Sequence, residues 1–133
     1  MYKLSMKHKY PRQIDYSDFG SRIRTLLNDD GNKKIVYVTN DFASATFRYR
    51  FFNFKQSLRN SKEYSAVCFT SAETPLILSY LSHISAVVFQ RATLDNDTNN
   101  FAFACKHHGV PLIYDIDDLI YNANCILDYV TNI

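Results

Sequence analysis

Glycine and proline are scarce in this 133-residue chain, three of each, and tryptophan is absent. So little glycine and proline excludes collagen-like, linker-like and low-complexity classes. There is no G-x-G-x-x-G and no Walker-type phosphate loop, which argues against a nicotinamide or ATP site built on a glycine-rich turn. Cysteine is sparse too. Cys68, Cys105 and Cys125 stand far apart, with no C-x-x-C and no Cys/His pair at metal-ligand spacing. His107 and His108 are adjacent, so on a helix they point about 100° apart and are poorly placed to chelate one ion. No metal site is expected, and the cysteines read as reduced thiols of a cytoplasmic protein. Charge of one sign is also missing. A formal net charge of +2 lacks the strongly basic face of a nucleic-acid binder. No apolar run approaches the roughly 18 residues of a membrane span. The basic start, MYKLSMKHKYPRQ, has no apolar stretch behind it and does not read as a signal peptide.

What remains is a core-forming composition. Hydrophobic residues make up 47% of the chain, with ten Tyr and ten Phe. Residues 1–32 are polar, basic and irregular and read as an N-terminal appendage. Within it, Tyr16 to Asn28 can form one helix, with Phe19, Ile23, Leu26 and Leu27 on a face and Ser17 or Asp18 as cap. Asp29-Asp30-Gly31-Asn32 reads as a turn.

From residue 33 the rhythm is regular. Ile35-Val36-Tyr37-Val38 reads as a buried strand. Thr46 to about Asn60 follows as a helix, with Phe47, Phe51, Phe54 and Leu58 in one apolar stripe and Ser44 or Thr46 as cap. Ala66-Val67-Cys68-Phe69 is a second strand. It leads into a helix over Glu73 to His83, with Pro75 in its first turn. Ala86-Val87-Val88-Phe89 is the third strand, and Asp95 or Asp97 can cap the helix after it. Gly109 stops that helix, and Leu112 to Ile116 forms the fourth strand. Asp117 and Asp118 can open a further helix.

Short, continuously apolar strands alternating with helices predict an α/β fold: a Rossmann-like open parallel sheet with helices on both faces. Ligands in such sheets bind at the carboxyl ends of the strands. Four places there carry side chains suited to chemistry: Asn40 with Ser44, Thr46, Arg48 and Arg50; Thr70 to Glu73; Gln90 with Arg91; and Asp115 with Asp117 and Asp118. The arginines can supply paired donors to phosphate or carboxylate. They can equally be solvated on a helix face, or, for Arg91, paired with Asp95 or Asp97. Three carboxylates within four residues repel one another and call for a reason. Helix capping by Asp117 and Asp118 is one such reason.

Three functional patterns compete for that acidic run. The stretch LIYDIDDLIY is similar to the first motif of haloacid-dehalogenase-type phosphatases, but Leu119 stands at the threonine position. Asp115 and Asp117 also match the spacing of the metal-binding DxD of single-domain glycosyltransferases. The third pattern uses more of the chain. IVYVTNDFASATFRYRFFN, AVVFQR and HHGVPLIYDIDDLIYN occur in that order, and together they resemble the N-terminal domain of bacterial GT-B glycosyltransferases, which have two Rossmann-like domains. The resemblance spans Lys34 to Tyr121.

That resemblance implies an acceptor-binding half used in making cell-envelope polysaccharide or another glycan. The acceptor would be a glycan, often lipid-linked, met in the cytoplasm or at the inner face of the membrane. The complete enzyme would use a sugar nucleotide held by a second domain and generally needs no metal. Carried over by position, Asn40, Ser44, Thr46, Arg48, Arg50, Gln90, Arg91 and Asp115 would face the acceptor. Asp117 or Asp118 would orient its hydroxyl or act as general base. Residues 33–133 would then be a partial domain, completed by a donor-domain polypeptide. A non-catalytic binding or scaffold module of the same fold is the alternative. Were the strand order 3-2-1-4, Leu112–Ile116 would form an open edge that invites self-association.

Overall fold

A computed structural model describes residues 18–116. Its four strands are all parallel: β1 (Lys33–Thr39), β2 (Tyr64–Thr70), β3 (Ala86–Gln90) and β4 (Leu112–Asp115). Their spatial order is β2-β1-β3-β4. The α/β architecture read from the sequence is present. The 3-2-1-4 order is not, because the chain after β2 crosses back over β1 instead of adding a third strand outside β2. The Leu112–Asp115 strand is at an end of the described sheet in either order.

Two apolar clusters lie on opposite faces of the sheet. Val36, Val38, Val67, Phe69, Val87 and Phe89 point to one face, where they meet Leu26, Ile77, Leu81, Phe101 and Cys105. Tyr37, Ala66, Cys68 and Val88 point to the other and meet Phe47 and Phe51. The strict alternation along each strand is the period-2 geometry of extended chain. Burial on both faces explains why the strand sequences do not alternate in polarity.

The second face is covered by α2, which runs from Ala45 to Ser57 in three stretches. Ala45–Phe47 and Asn53–Ser57 are α-helical, and Arg48–Phe52 between them is a π-helical turn. The first face carries α1 (Phe19–Leu27), the segment Ser71–His83 and α4 (Asn96–His107). Within Ser71–His83, the α-helical part α3 (Thr74–Ile77) lies between two 3-10 stretches. The chain moves from β1 to β2 across one face and returns to β3 across the other, so consecutive connections turn with the same hand.

Local chemistry sets the ends of these elements. Asp18 accepts a hydrogen bond from the Gly20 N–H and caps α1. Asp95 accepts from the Thr98 N–H and caps α4. Asp95 is thereby engaged as a cap. Gly109 follows α4 at φ 73, a backbone that an L-residue tolerates poorly. Gly109→Ala should destabilise the protein by about 1 kcal/mol, read from the shift in a urea-unfolding midpoint. The space around that position is open, so a loss several times larger would point to a contact there instead of backbone strain.

Helix α1 is joined tightly to the sheet. Leu26 is buried in the first-face cluster. Phe19 meets Phe69 edge-on, with ring centroids 5.8 Å apart. Arg22, only 4% exposed, donates through both terminal nitrogens to Glu73 at 2.6 and 2.7 Å and also to the Cys68 carbonyl at 3.1 Å. Glu73 in turn accepts the Thr70 N–H at 2.8 Å and closes a capping box with Thr70. One buried arginine thus ties α1 to the corner between β2 and the segment after it.

Candidate functional site

The sheet order places the topological switch point between β1 and β3. The connection after β1 leaves to one face and the connection after β3 to the other, which opens a crevice at their carboxyl ends. Thr39 and Asn40 end one strand there, and Gln90 and Arg91 end the other.

Asn40 works as a clasp across this crevice. Its Nδ2 donates to the Thr93 hydroxyl at 2.6 Å, and its Oδ1 accepts the Thr93 N–H at 2.9 Å. The Ser71 hydroxyl donates to the same oxygen at 2.9 Å. A single amide therefore holds together the loops that follow β1, β2 and β3. Ser44 likewise has a local role, accepting the Phe47 N–H at 3.1 Å at the start of α2.

Gln90 is fully buried. Its Oε1 takes a long contact, 3.4 Å, from the Thr39 hydroxyl, and its Nε2 has no partner among the described residues. A buried amide without a partner is costly, and such groups gather where a site needs them. The next residue, Arg91, has φ 50. Among the described residues it is the one non-glycine with positive φ. That turn directs the Arg91 guanidinium toward α2, where Nη1 lies 3.4 Å from the Thr46 hydroxyl.

Asp115 is the register partner of Gln90, and its carbonyl accepts the Arg91 N–H at 3.2 Å. Its carboxylate pairs with Nη1 of Arg50, which reaches over from the π-helical turn of α2. A π turn changes the angular register of a helix and recurs at functional sites. Here it keeps Phe47 and Phe51 buried against the sheet while Arg50 extends to β4. Arg48 and Tyr49 are exposed on the same turn.

Tyr37 belongs to this group as well, although nothing in the sequence marked it apart from core. It projects from β1 to the α2 face. Burial, and secondarily the Asp115 charge, push its hydroxyl up to about 12, with Arg50 opposing. It therefore stays a protonated donor at neutral pH. Thr46, Arg91, Asp115 and Arg50 are linked one to the next along one strand-end edge, with Gln90 buried beneath it. Asp117 and Asp118 lie outside the described residues. Among the described residues, no three His, Cys, Asp or Glu side chains gather in a way that could hold a metal ion.

Chemically, this edge carries two guanidinium groups, a hydroxyl and one carboxylate at the mouth of a parallel sheet. Such a set can bind an anionic group and orient neighbouring hydroxyls. Comparison with protein-family models, with curated proteins and with solved structures found no match. No helix among the described residues is long and apolar enough to cross a membrane.

Proposed function

We propose that this chain is the acceptor-binding half of a GT-B-type glycosyltransferase acting on an envelope polysaccharide or another glycan, with the sugar nucleotide bound by a separate domain or polypeptide. The observation that carries the reading is the convergence of Thr46, Arg50, Arg91 and Asp115 on one strand-end edge. Its support from the sequence is that these residues fall within the three segments resembling that family. The open parallel sheet, with its crevice at the β1–β3 switch point, is compatible with the same reading.

In this reading Arg50 and Arg91 hold charged or hydroxyl groups of the acceptor, while Tyr37 and Thr46 donate to its oxygens. Asp117 or Asp118 would orient the accepting hydroxyl. A test is titration of the isotope-labelled chain with neutral oligosaccharides and their lipid-phosphate-linked forms, followed by amide resonances. Shifts should concentrate at residues 40–50, 90–93 and 115–118. Arg91→Ala should weaken binding about tenfold, the usual order for a lost charge-assisted contact. Glycan binding with shifts on another face, or none with any glycan, would remove the assignment.

A further inference from the structure

The protein contains two arginine–carboxylate pairs that differ in kind. Arg22 meets Glu73 through two parallel bonds, with the arginine 4% and the glutamate 20% exposed. That is the geometry of a permanent structural pair. Arg50 meets Asp115 through one nitrogen and one oxygen, with the side chains 42% and 24% exposed. Nη2 of Arg50 and Oδ2 of Asp115 make no hydrogen bond among the described residues. A half-open pair with a single contact is weakly held. Beside it the Arg91 guanidinium lies against the Thr46 hydroxyl, and the Arg91 N–H donates to the Asp115 carbonyl.

We infer that Asp115 is an internal stand-in for a phosphate group. In the unliganded chain its carboxylate neutralises Arg50. A phosphate ester or pyrophosphate then displaces it, takes the guanidinium fork through two bonds, and gains Arg91 and Thr46 as further donors. The carboxylate swings off as the anion arrives, so Arg50 exchanges one anion for another and is never left uncompensated. This deepens the acceptor reading by naming the class of group the edge takes, and rests on that reading only for the location of the site. The exchange makes an unusual demand: removing the charged partner of the arginine should improve ligand binding.

The experiment is calorimetric titration of the whole chain with inorganic pyrophosphate at fixed ionic strength. Wild type should bind weakly. Asp115→Asn should bind about tenfold more tightly, since its ligand no longer competes with a built-in anion. Asp41→Asn removes the same charge from the loop after β1 and should change affinity less than about twofold, which separates local competition from net charge. Arg50→Gln should abolish the gain when combined with Asp115→Asn. Equal effects of Asp115→Asn and Asp41→Asn would overturn the inference, as would unchanged binding in Arg50→Gln.

If Asp115→Asn does not fold, wild type still carries the test. The Asp115 carboxyl-carbon resonance must then move with the same midpoint as the ligand, and a carboxyl signal that stays still at saturation sinks the idea. Neutral vesicles doped with a polyprenyl phosphate separate the two sources of phosphate. Tighter binding there than to pyrophosphate assigns the group to a lipid-linked acceptor, and the reverse assigns it to a soluble ester. Glycan titration that succeeds while pyrophosphate fails would leave the acceptor reading standing and discard the exchange.

Discussion

Replacing Arg22 with methionine should lower the unfolding free energy by about 3 kcal/mol, the scale for breaking a buried pair from one side. Methionine keeps much of the aliphatic volume, so lost packing is a minor part of the effect. The greater part is what the change leaves behind. Glu73 would keep the Thr70 N–H but lose both guanidinium bonds, and the Cys68 carbonyl would lose a donor. The cation also lies 5.0 to 5.7 Å from the ring centres of Phe19, Phe42 and Phe69, an aromatic surround that a thioether cannot exploit in the same way. Adding Glu73→Gln should recover a large part of the loss, because glutamine can still complete the capping box without an uncompensated charge. A double variant no more stable than Arg22→Met alone would refute this account.

The pair also sets an acid limb of stability. Burial pushes the Glu73 carboxyl up, but its bonds from Arg22 and Thr70 outweigh that, and the net position is below the ordinary value of 4.5. A group lowered in the folded state contributes stability that is complete above its unfolded value. That contribution is lost as the pH falls through the lowered one. Wild type should therefore lose stability on acidification through this window more steeply than Arg22→Met, in which the lowering is gone. Parallel acid limbs in urea titrations from pH 6 to pH 3 would contradict the assignment. Asp18, Asp30 and Asp95 are lowered as well and contribute equally to both proteins, so the difference between the curves isolates Glu73.

Phe51→Ala should be the most damaging single truncation on the other face, at about 3–5 kcal/mol. Phe51 is fully buried. It stacks on Phe47 with centroids 5.2 Å apart and rings 8° from parallel, and meets Tyr37 edge-on at 5.1 Å. Alanine would leave a cavity between α2 and the sheet that the rigid ring pair cannot close. Phe51→Leu should cost distinctly less, since it refills most of that volume. The urea midpoint measures both. A second readout follows from position. Arg50 precedes Phe51 in the same π turn, so the alanine variant should also lose its Arg50–Asp115 contact. An alanine variant with intact Arg50 resonances would show that the π turn is held from elsewhere.

Much of the fold was legible because its signals are local. The strands were readable as β-branched runs, although the apolar kernels of β1 and β2 underestimate them where the ends are polar, as with Lys33, Tyr64 and Thr70, and β4 stops one residue short of Ile116. The Asp95 cap and the Gly109 stop were readable because capping chemistry acts within a few residues. The strand order was not, since nothing local distinguishes a chain that continues outward from one that crosses back. The π turn was hidden for a related reason: the spacing of Phe47, Phe51 and Phe54 suits an α-helix, and only the demand of the sheet for Phe51 and of Asp115 for Arg50 changes its phase.

The candidate site was legible in part by the same logic. Arg50, Arg91, Thr46 and Asp115 could be nominated because strand ends bear ligands. Which arginine meets which partner depends on register across the sheet, which a single sequence does not display. Tyr37 was hidden among core aromatics. Asn40 and Ser44 could be nominated by place, yet the geometry engages one in a three-loop clasp and the other in a helix cap.

The composition changes at residue 33, but the folding unit does not begin there. Arg22 reaches its carboxylate across 51 positions of chain. As the polypeptide is made, α1 emerges well before β2 and the corner at Glu73 that receives its arginine. A nascent chain halted before Glu73 would carry the Arg22 cation with its partner still unmade.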